Sequence, residues 1–169
     1  MRCIAEPASA TRERTGDGTP RSSATLRGFR VSDVPYIVPI VADALREHYD
    51  PALYPSLSAN WPEGFLVATD PSDVPIAFLL GVHQVEGEGR VLMFAVDRDH
   101  RDLGLGTLLM NEFLAHCREK QLRRVTLEVR VSNATAIRFY ARFRFSVVDL
   151  LRGYYSDGEN GYQMARDVG

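Results

Sequence analysis

The sequence predicts a single α/β (α+β) domain of about seven strands and four helices, on three observations. Between Phe65 and Val96 three strand-like runs follow one another across short turns, the pattern of an antiparallel meander. From Leu103 to Lys120 apolar residues recur at 105, 108, 109, 113, 114 and 117, the spacing of one buried helix face. Val125, Leu127, Val129 and Val131 then alternate with Thr126, Glu128 and Arg130, the period of a half-buried strand.

The elements follow in order. The first 23 residues are rich in Ser, Thr, Gly, Pro and charge and hold no apolar run, so a disordered polar tail is expected, with the folded domain over 24–169. Thr25–Arg30 reads as a short strand, and Ser32 or Asp33 as the cap of a helix running to about Glu47. Pro35 falls in the first turn of that helix, where its missing N–H costs nothing. Pro39 lies deeper and should kink or delay it. A Pro- and Tyr-rich stretch to Pro62 has room for one short helix. The three meander strands are Phe65–Thr69, Pro75–Val85 and Arg90–Val96, with EGEG at 86–89 as the loop between the last two. After the helix at 103–120 and the strand at 125–131, Ala134–Phe143 reads as a helix capped by Ser132 or Asn133. Strands near 145–151 and 162–166 end the chain.

Composition narrows the function. Of 169 residues, 20 are basic and 22 acidic, a net charge of −2 that argues against broad coating of nucleic acid or an anionic membrane. The longest apolar run, Val74–Val82, is about half a membrane span and contains a proline and a glycine. Cys3 and Cys117 form no metal or redox motif, so a reducing, cytoplasmic setting is the default. His48, His83, His100 and His116 are scattered, and no metal site is expected.

Two segments carry chemistry. The strand ending Phe94-Ala95-Val96 leads into Arg101-Asp102-Leu103-Gly104-Leu105-Gly106-Thr107 at the start of the amphipathic helix. The glycines permit a sharp turn and close approach of a ligand, and the free N–H groups and positive end of the helix favour an anion. Arg101 can add a charge-assisted contact. Read alone, this RxxGxG is equally a glycine-rich helix start with a solvated arginine. Further on stands LEVRVSNATAIRFYARFRF at 127–145.

Together the two segments resemble the GNAT superfamily of acyl-CoA N-acyltransferases. With Gly153-Tyr154-Tyr155-Ser156-Asp157-Gly158-Glu159 the chain is most similar to the RimI-like and archaeal protein N-terminal acetyltransferases, over about residues 24–166. The resemblance implies the GNAT fold, a mixed, mostly antiparallel central sheet of about seven strands flanked by about four helices. It implies acetyl-CoA as cosubstrate, without a metal, and a free protein or peptide N terminus as acceptor, nascent and ribosomal chains included, with transient ribosome association. In this reading Arg101 to Thr107 cradle the coenzyme pyrophosphate. The backbone of Phe94, Ala95 and Val96 pairs with the pantetheine arm like an added strand and stabilises the developing oxyanion. Asn133, Tyr140 and Arg142 complete the coenzyme site.

A free α-amino group has a pKa near ~8 and is mostly protonated at neutral pH, so attack on the thioester needs a base. The resemblance assigns that role to Glu128, whose bland reading is a surface carboxylate paired to Arg130 or Arg124. It assigns Tyr140 as the acid for the departing thiolate, where spacing alone reads a core tyrosine. Acceptor selection falls to Glu47 and Tyr49 after the first helix and to Tyr154 and Tyr155 before the last strand. Two positions depart from the family pattern. Arg90 stands where some archaeal relatives carry a histidine, and an arginine cannot accept a proton at working pH. Arg144 stands where a left-handed Gly or Asn is usual, at a cost on the order of 1 kcal/mol if the backbone is kept. An acetyltransferase for lysine or a small amine, and a non-catalytic coenzyme-binding module, are the rival readings.

Overall fold

The computed structural model describes the backbone of residues 4–6 and residues 24–45 and 48–169. Its strands are β1 (Ile4–Glu6), β2 (Thr25–Gly28), β3 (Phe65–Thr69), β4 (Pro75–Val85), β5 (Glu88–Val96), β6 (Arg124–Arg130), β7 (Ser146–Leu151) and β8 (Gly161–Asp167). The helices are α1 (Val34–Leu45), α2 (Leu53–Asn60), α3 (Leu105–Glu119) and α4 (Ala134–Arg142). They flank one sheet of order β2-β3-β4-β5-β6-β8-β7, which β1 joins by pairing with β5. Neighbours are antiparallel except β5 with β6 and β1 with β5, which are parallel. The expected mixed, mostly antiparallel sheet with four helices is what forms.

Each face of the sheet has its own core. On one, Leu109, Met110, Phe113, Leu114 and Cys117 of α3 meet Val91, Phe94, Val125, Leu127 and Val129, and α4 adds Phe139 and Tyr140. On the other, Ile37, Ile40 and Val41 of α1 and Tyr54 of α2 cover Val67, Phe78, Leu80, Leu92, Met93 and Tyr155. The 3.6-residue period of α3 decides which of its residues enter the first core. Pro39 is accommodated inside α1 on its exposed side, where a missing hydrogen bond costs least because water can replace it.

Several boundaries differ from the sequence reading. Ser32 and Asp33 do not cap α1 directly; they lie in a 3-10 turn, Val31–Asp33, that precedes it. The buried Asp33 carboxylate accepts from the Arg30 N–H at 2.7 Å and from Arg27 at 2.8 Å, so it fastens β2 to the turn. The loop after β4 shrinks to Glu86 and Gly87, because Val85 already pairs with Glu88 and Gly87 takes the positive φ of 73° that a tight turn requires. Helix α3 starts only at Leu105, after Gly104 at φ 80°. Strand β6 is buried on both faces, Thr126 and Glu128 included, because the core under α3 and α4 covers one face and Glu88, Arg90, Leu151, Tyr154 and Gln163 crowd the other. Three residues of the expected tail, Ile4–Glu6, instead form β1; β5 offers them unpaired edge groups, as described below.

Arg144 keeps the left-handed backbone, with φ 64°. Phe145 N–H can then donate to the Tyr140 carbonyl at 3.2 Å, closing α4 before β7. Arg144→Gly is expected to raise stability by about 1 kcal/mol, seen as a melting temperature higher by roughly 2–4 °C for a domain of this size.

Candidate active site

The site begins with a break in the sheet. Gly81 pairs with Val91 and Leu80 with Met93, so Leu92 is an extra residue and β5 bulges there. Gly81 fits this spot because a Cβ would run into the Phe113 ring. β5 pairs with β6 only from Glu88 to Arg90, opposite Arg124 to Thr126. Beyond Arg90 the two strands part, and the β5 edge from Met93 to Ala95 pairs instead with β1 in the register Ile4 to Met93, Ala5 to Phe94 and Glu6 to Ala95. The result is a wedge, closed at Arg90 and open toward the turn before α3.

Glu128 stands near the closed end. Its side chain shares a face with Thr126 and points away from the core that holds Leu127 and Val129, with only 5% of it exposed. Arg90 donates to Glu128 Oε2 from Nε at 3.0 Å and from Nη2 at 2.9 Å. Nη2 also donates to the Tyr154 hydroxyl at 3.2 Å. These groups line a cleft of about 350 Å³ with Gln84, Glu88, Leu151 and Gln163. The partner of Glu128 is thus Arg90, not Arg130 or Arg124.

At the open end, α1 faces the segment between β7 and β8 across a cavity of about 630 Å³. Arg130 holds that segment: Nη1 donates to Asp157 Oδ2 at 2.8 Å and to Glu159 Oε2 at 2.6 Å, and the guanidinium lies 4.1 Å from the Tyr155 ring centroid. Ser132 adds its N–H to Glu159 Oε1 at 3.0 Å and its hydroxyl at 2.5 Å. The Ser132 hydroxyl and Arg130 hold Glu159 below the usual carboxylate range. The N–H of Glu159, then Arg130, does the same for Asp157. Tyr155 is buried under this clasp and packs edge-on against the half-buried Tyr154 at 5.1 Å. Tyr49 packs partly on the same core; Glu47 lies outside the described residues.

The glycine turn lies on the same side of the molecule. Asp102 at φ 63° and Gly104 at φ 80° bend the chain into α3, and among the described residues, its chain neighbours aside, nothing lies within 4 Å of where a Gly104 Cβ would project. Arg101 reaches the Val96 carbonyl at 3.4 Å and Asp43 at 3.5 Å, and Arg98 also pairs with Asp43. Asn133 caps α4, its side chain accepting from Ala136 N–H at 3.0 Å. Tyr140 is fully buried, edge-on to Phe139 and Phe145, and enters from the face opposite Glu128. Arg142 is exposed, its guanidinium 5.4 Å from the Phe139 ring centroid.

The fold therefore gathers Glu128 with Tyr154 at one end of the wedge, and Arg101 with the Val96 carbonyl at the other. Arg90 was legible only as a residue unable to be a base. Its contact with Glu128 needs the β5–β6 register, which no local stretch of sequence carries. The Arg130 clasp was likewise out of reach, because Asp157 and Glu159 lie 27 and 29 residues away. Among the described residues no group of His, Cys, Asp and Glu is arranged to hold a metal ion, and no helix is long and apolar enough to cross a membrane. Burial pushes the Cys117 thiol up to about 12 against the opposing pull of Arg118 and Arg166, so it is no nucleophile at neutral pH.

The profile of the acetyltransferase (GNAT) family matches residues 34–145. This chain belongs to the GNAT family. A relative named N-alpha-acetyltransferase, from Sulfurisphaera tokodaii, is 32% identical over 151 residues, covering 83% of this chain and 90% of the relative. Among solved structures, Ard1 from Thermoplasma volcanium superposes with a TM-score of 0.84 at 39% identity, over 87% of this chain and 99% of that one. The ribosomal-protein-S18-alanine N-acetyltransferase of Escherichia coli gives 0.75 at 26% identity, over 86% and 94%. The GNAT assignment makes the chain an acyltransferase, and the wedge between β5 and β6 its candidate active site.

Because Glu159 and Asp157 are held below their usual range, the clasp is fully present above ordinary carboxylate values and is lost as pH falls through the depressed ones. The Ser132 amide resonance, whose N–H donates to Glu159, is expected to stay constant from pH 8 to pH 5. It should move only below about pH 4.

Proposed function

We propose that this chain is an acetyl-CoA-dependent Nα-acetyltransferase, with its catalytic domain over 24–169, acting on free protein N termini in the cytoplasm. The observation that carries the reading is a buried carboxylate, Glu128, near the closed end of a wedge where β5 parts from β6 and its edge accepts an extended partner. The names of the relatives from Sulfurisphaera tokodaii and Thermoplasma volcanium point the same way. Likeness to the S18-alanine enzyme supports ribosomal proteins as acceptors, and nascent chains with transient ribosome association extend the same reading.

The residues fit the coenzyme. The β5 edge demonstrably takes an added parallel strand at Met93–Ala95, and a pantetheine amide arm asks for the same N–H and C=O groups over Phe94–Val96. Arg101, released from Asp43, and the N–H groups of Leu103 to Thr107 suit a pyrophosphate. Asn133 and Arg142 border the arm. When bound, acetyl-CoA supplies an activated acyl thioester. Glu128 takes a proton from the acceptor amine as the new C–N bond forms. A backbone N–H of the Phe94–Val96 segment steadies the negative charge on the carbonyl oxygen. Tyr140 gives its hydroxyl proton to the sulfur as the C–S bond breaks, and exchange with solvent then removes the proton from Glu128 and restores that of Tyr140, so protons balance with no covalent enzyme intermediate. In this reading Glu47, Tyr49, Tyr154 and Tyr155 select the acceptor chain, and holding the two reactants together contributes much of the rate.

Glu128→Gln is expected to lower kcat about 10²- to 10⁴-fold, the range of general acid–base catalysis, with acetyl-CoA affinity unchanged by calorimetry. Full activity in that variant would remove Glu128 as the base. On a peptide panel, transfer should require a free N terminus and persist without lysine; transfer to N-terminally blocked, lysine-containing peptides would point to the side-chain reading.

β1 and the pantetheine arm need the same β5 groups and cannot pair with them together. A chain lacking residues 1–23 is expected to bind acetyl-CoA more tightly than the full chain; weaker binding would show that β1 supports the site.

A further inference from the structure

The guanidinium of Arg90 has a role the reaction scheme leaves open. It approaches Glu128 as a fork, both donors converging on Oε2, so Oε1 is the oxygen left to face an acceptor. The same Nη2 reaches the Tyr154 hydroxyl at 3.2 Å, and Tyr154 belongs to the segment that Arg130 clasps at the mouth of the wedge. Arg90 is also the last β5 residue paired with β6 before the strands part, and 26% of its side chain is exposed while only 5% of that of Glu128 is. One side chain thus spans the carboxylate, the acceptor-side tyrosine and the closed end of the wedge.

We propose that Arg90 is the positioning residue for Glu128: it pins Oε2 and Tyr154 in one plane and thereby fixes the direction in which the remaining carboxylate oxygen meets the amine. A glutamate has three side-chain torsions, and freezing them before the acceptor arrives spares that ordering at the moment of reaction. A planar fork suits this task and an ammonium does not. The bland role, neutralising a buried carboxylate, uses the same contacts, so the test must separate stability from turnover. The proposal rests on Glu128 being the base.

The test is a double-mutant cycle on the full chain, using a peptide with a free N terminus and acetyl-CoA: wild type, Arg90→Ala, Glu128→Gln and the double variant, each with kcat, both KM values and a melting curve. Arg90→Ala is expected to lower kcat about 100-fold with KM for acetyl-CoA within about twofold of wild type. In the Glu128→Gln background the same change should cost less than about threefold, since a group acting through another has nothing left to act on. Guanidinium ion added at millimolar concentration should recover part of the kcat of Arg90→Ala. Wild-type kcat in Arg90→Ala, or losses that multiply in the double variant, would overturn the proposal while leaving Glu128 as base. Full activity of Glu128→Gln would instead remove the base reading, and the proposal with it. If Arg90→Ala fails to fold, Arg90→Lys decides, since it keeps the charge without the fork. A kcat about tenfold lower at unchanged KM supports the proposal; a wild-type kcat overturns it.

Discussion

Strands β5 and β6 stay paired for three residues and then separate, and the rest of the molecule is arranged around that separation. A parallel pair that continued would bury its own N–H and C=O groups and leave no edge for a ligand. The bulge at Leu92 alters the course of β5, and the β6–β8 ladder, continuous from Arg124 to Arg130, holds β6 on its own line. The open edge has a physical cost, because backbone groups taken from water must find partners. Here β1 supplies them with a parallel segment, which shows the chemistry any other occupant of that edge must offer.

The separation also explains why the two faces of β6 carry different residues. Val125, Leu127 and Val129 belong to the core under α3 and α4, and their burial anchors the strand. Thr126, Glu128 and Arg130 face the other way, toward Arg90, Leu151, Tyr154 and Tyr155. Each of the three finds a polar partner from another strand or loop: Glu88 for Thr126, Arg90 for Glu128, and Asp157 with Glu159 for Arg130. Buried polar groups are tolerated only when satisfied in this way. The pairs tie β5 and the β7–β8 segment to one strand, so closed end and mouth share a frame.

Much of this was legible in the chain. The helical period of α3, the alternation of β6 and the meander from β3 to β5 are local properties, and each produced the element it announced. The RxxGxG turn and the element around Asn133 and Tyr140 sit where their spacing placed them, at the starts of α3 and α4. Boundaries moved where one residue's backbone preference met a longer-range demand: Gly104 delays α3, and Gly87 tightens a hairpin read as four residues long. The burial of Glu128 and the strand at Ile4–Glu6 were not legible. Alternation tells which residues share a face, but not whether a neighbouring strand or side chain covers that face.

By itself, then, the sequence determined the elements, the family resemblance and the residue types of the candidate site, because periodicity, turn chemistry and short motifs are written within a few residues of one another. Only the tertiary structure decided the partners: that Glu128 meets Arg90 and not its near neighbours Arg130 or Arg124, that Arg130 clasps the loop carrying Tyr154 and Tyr155, and that β1 takes the β5 edge. These choices depend on strand order and register. Register is fixed by how the two cores pack against the sheet as a whole, and no local stretch of sequence carries it.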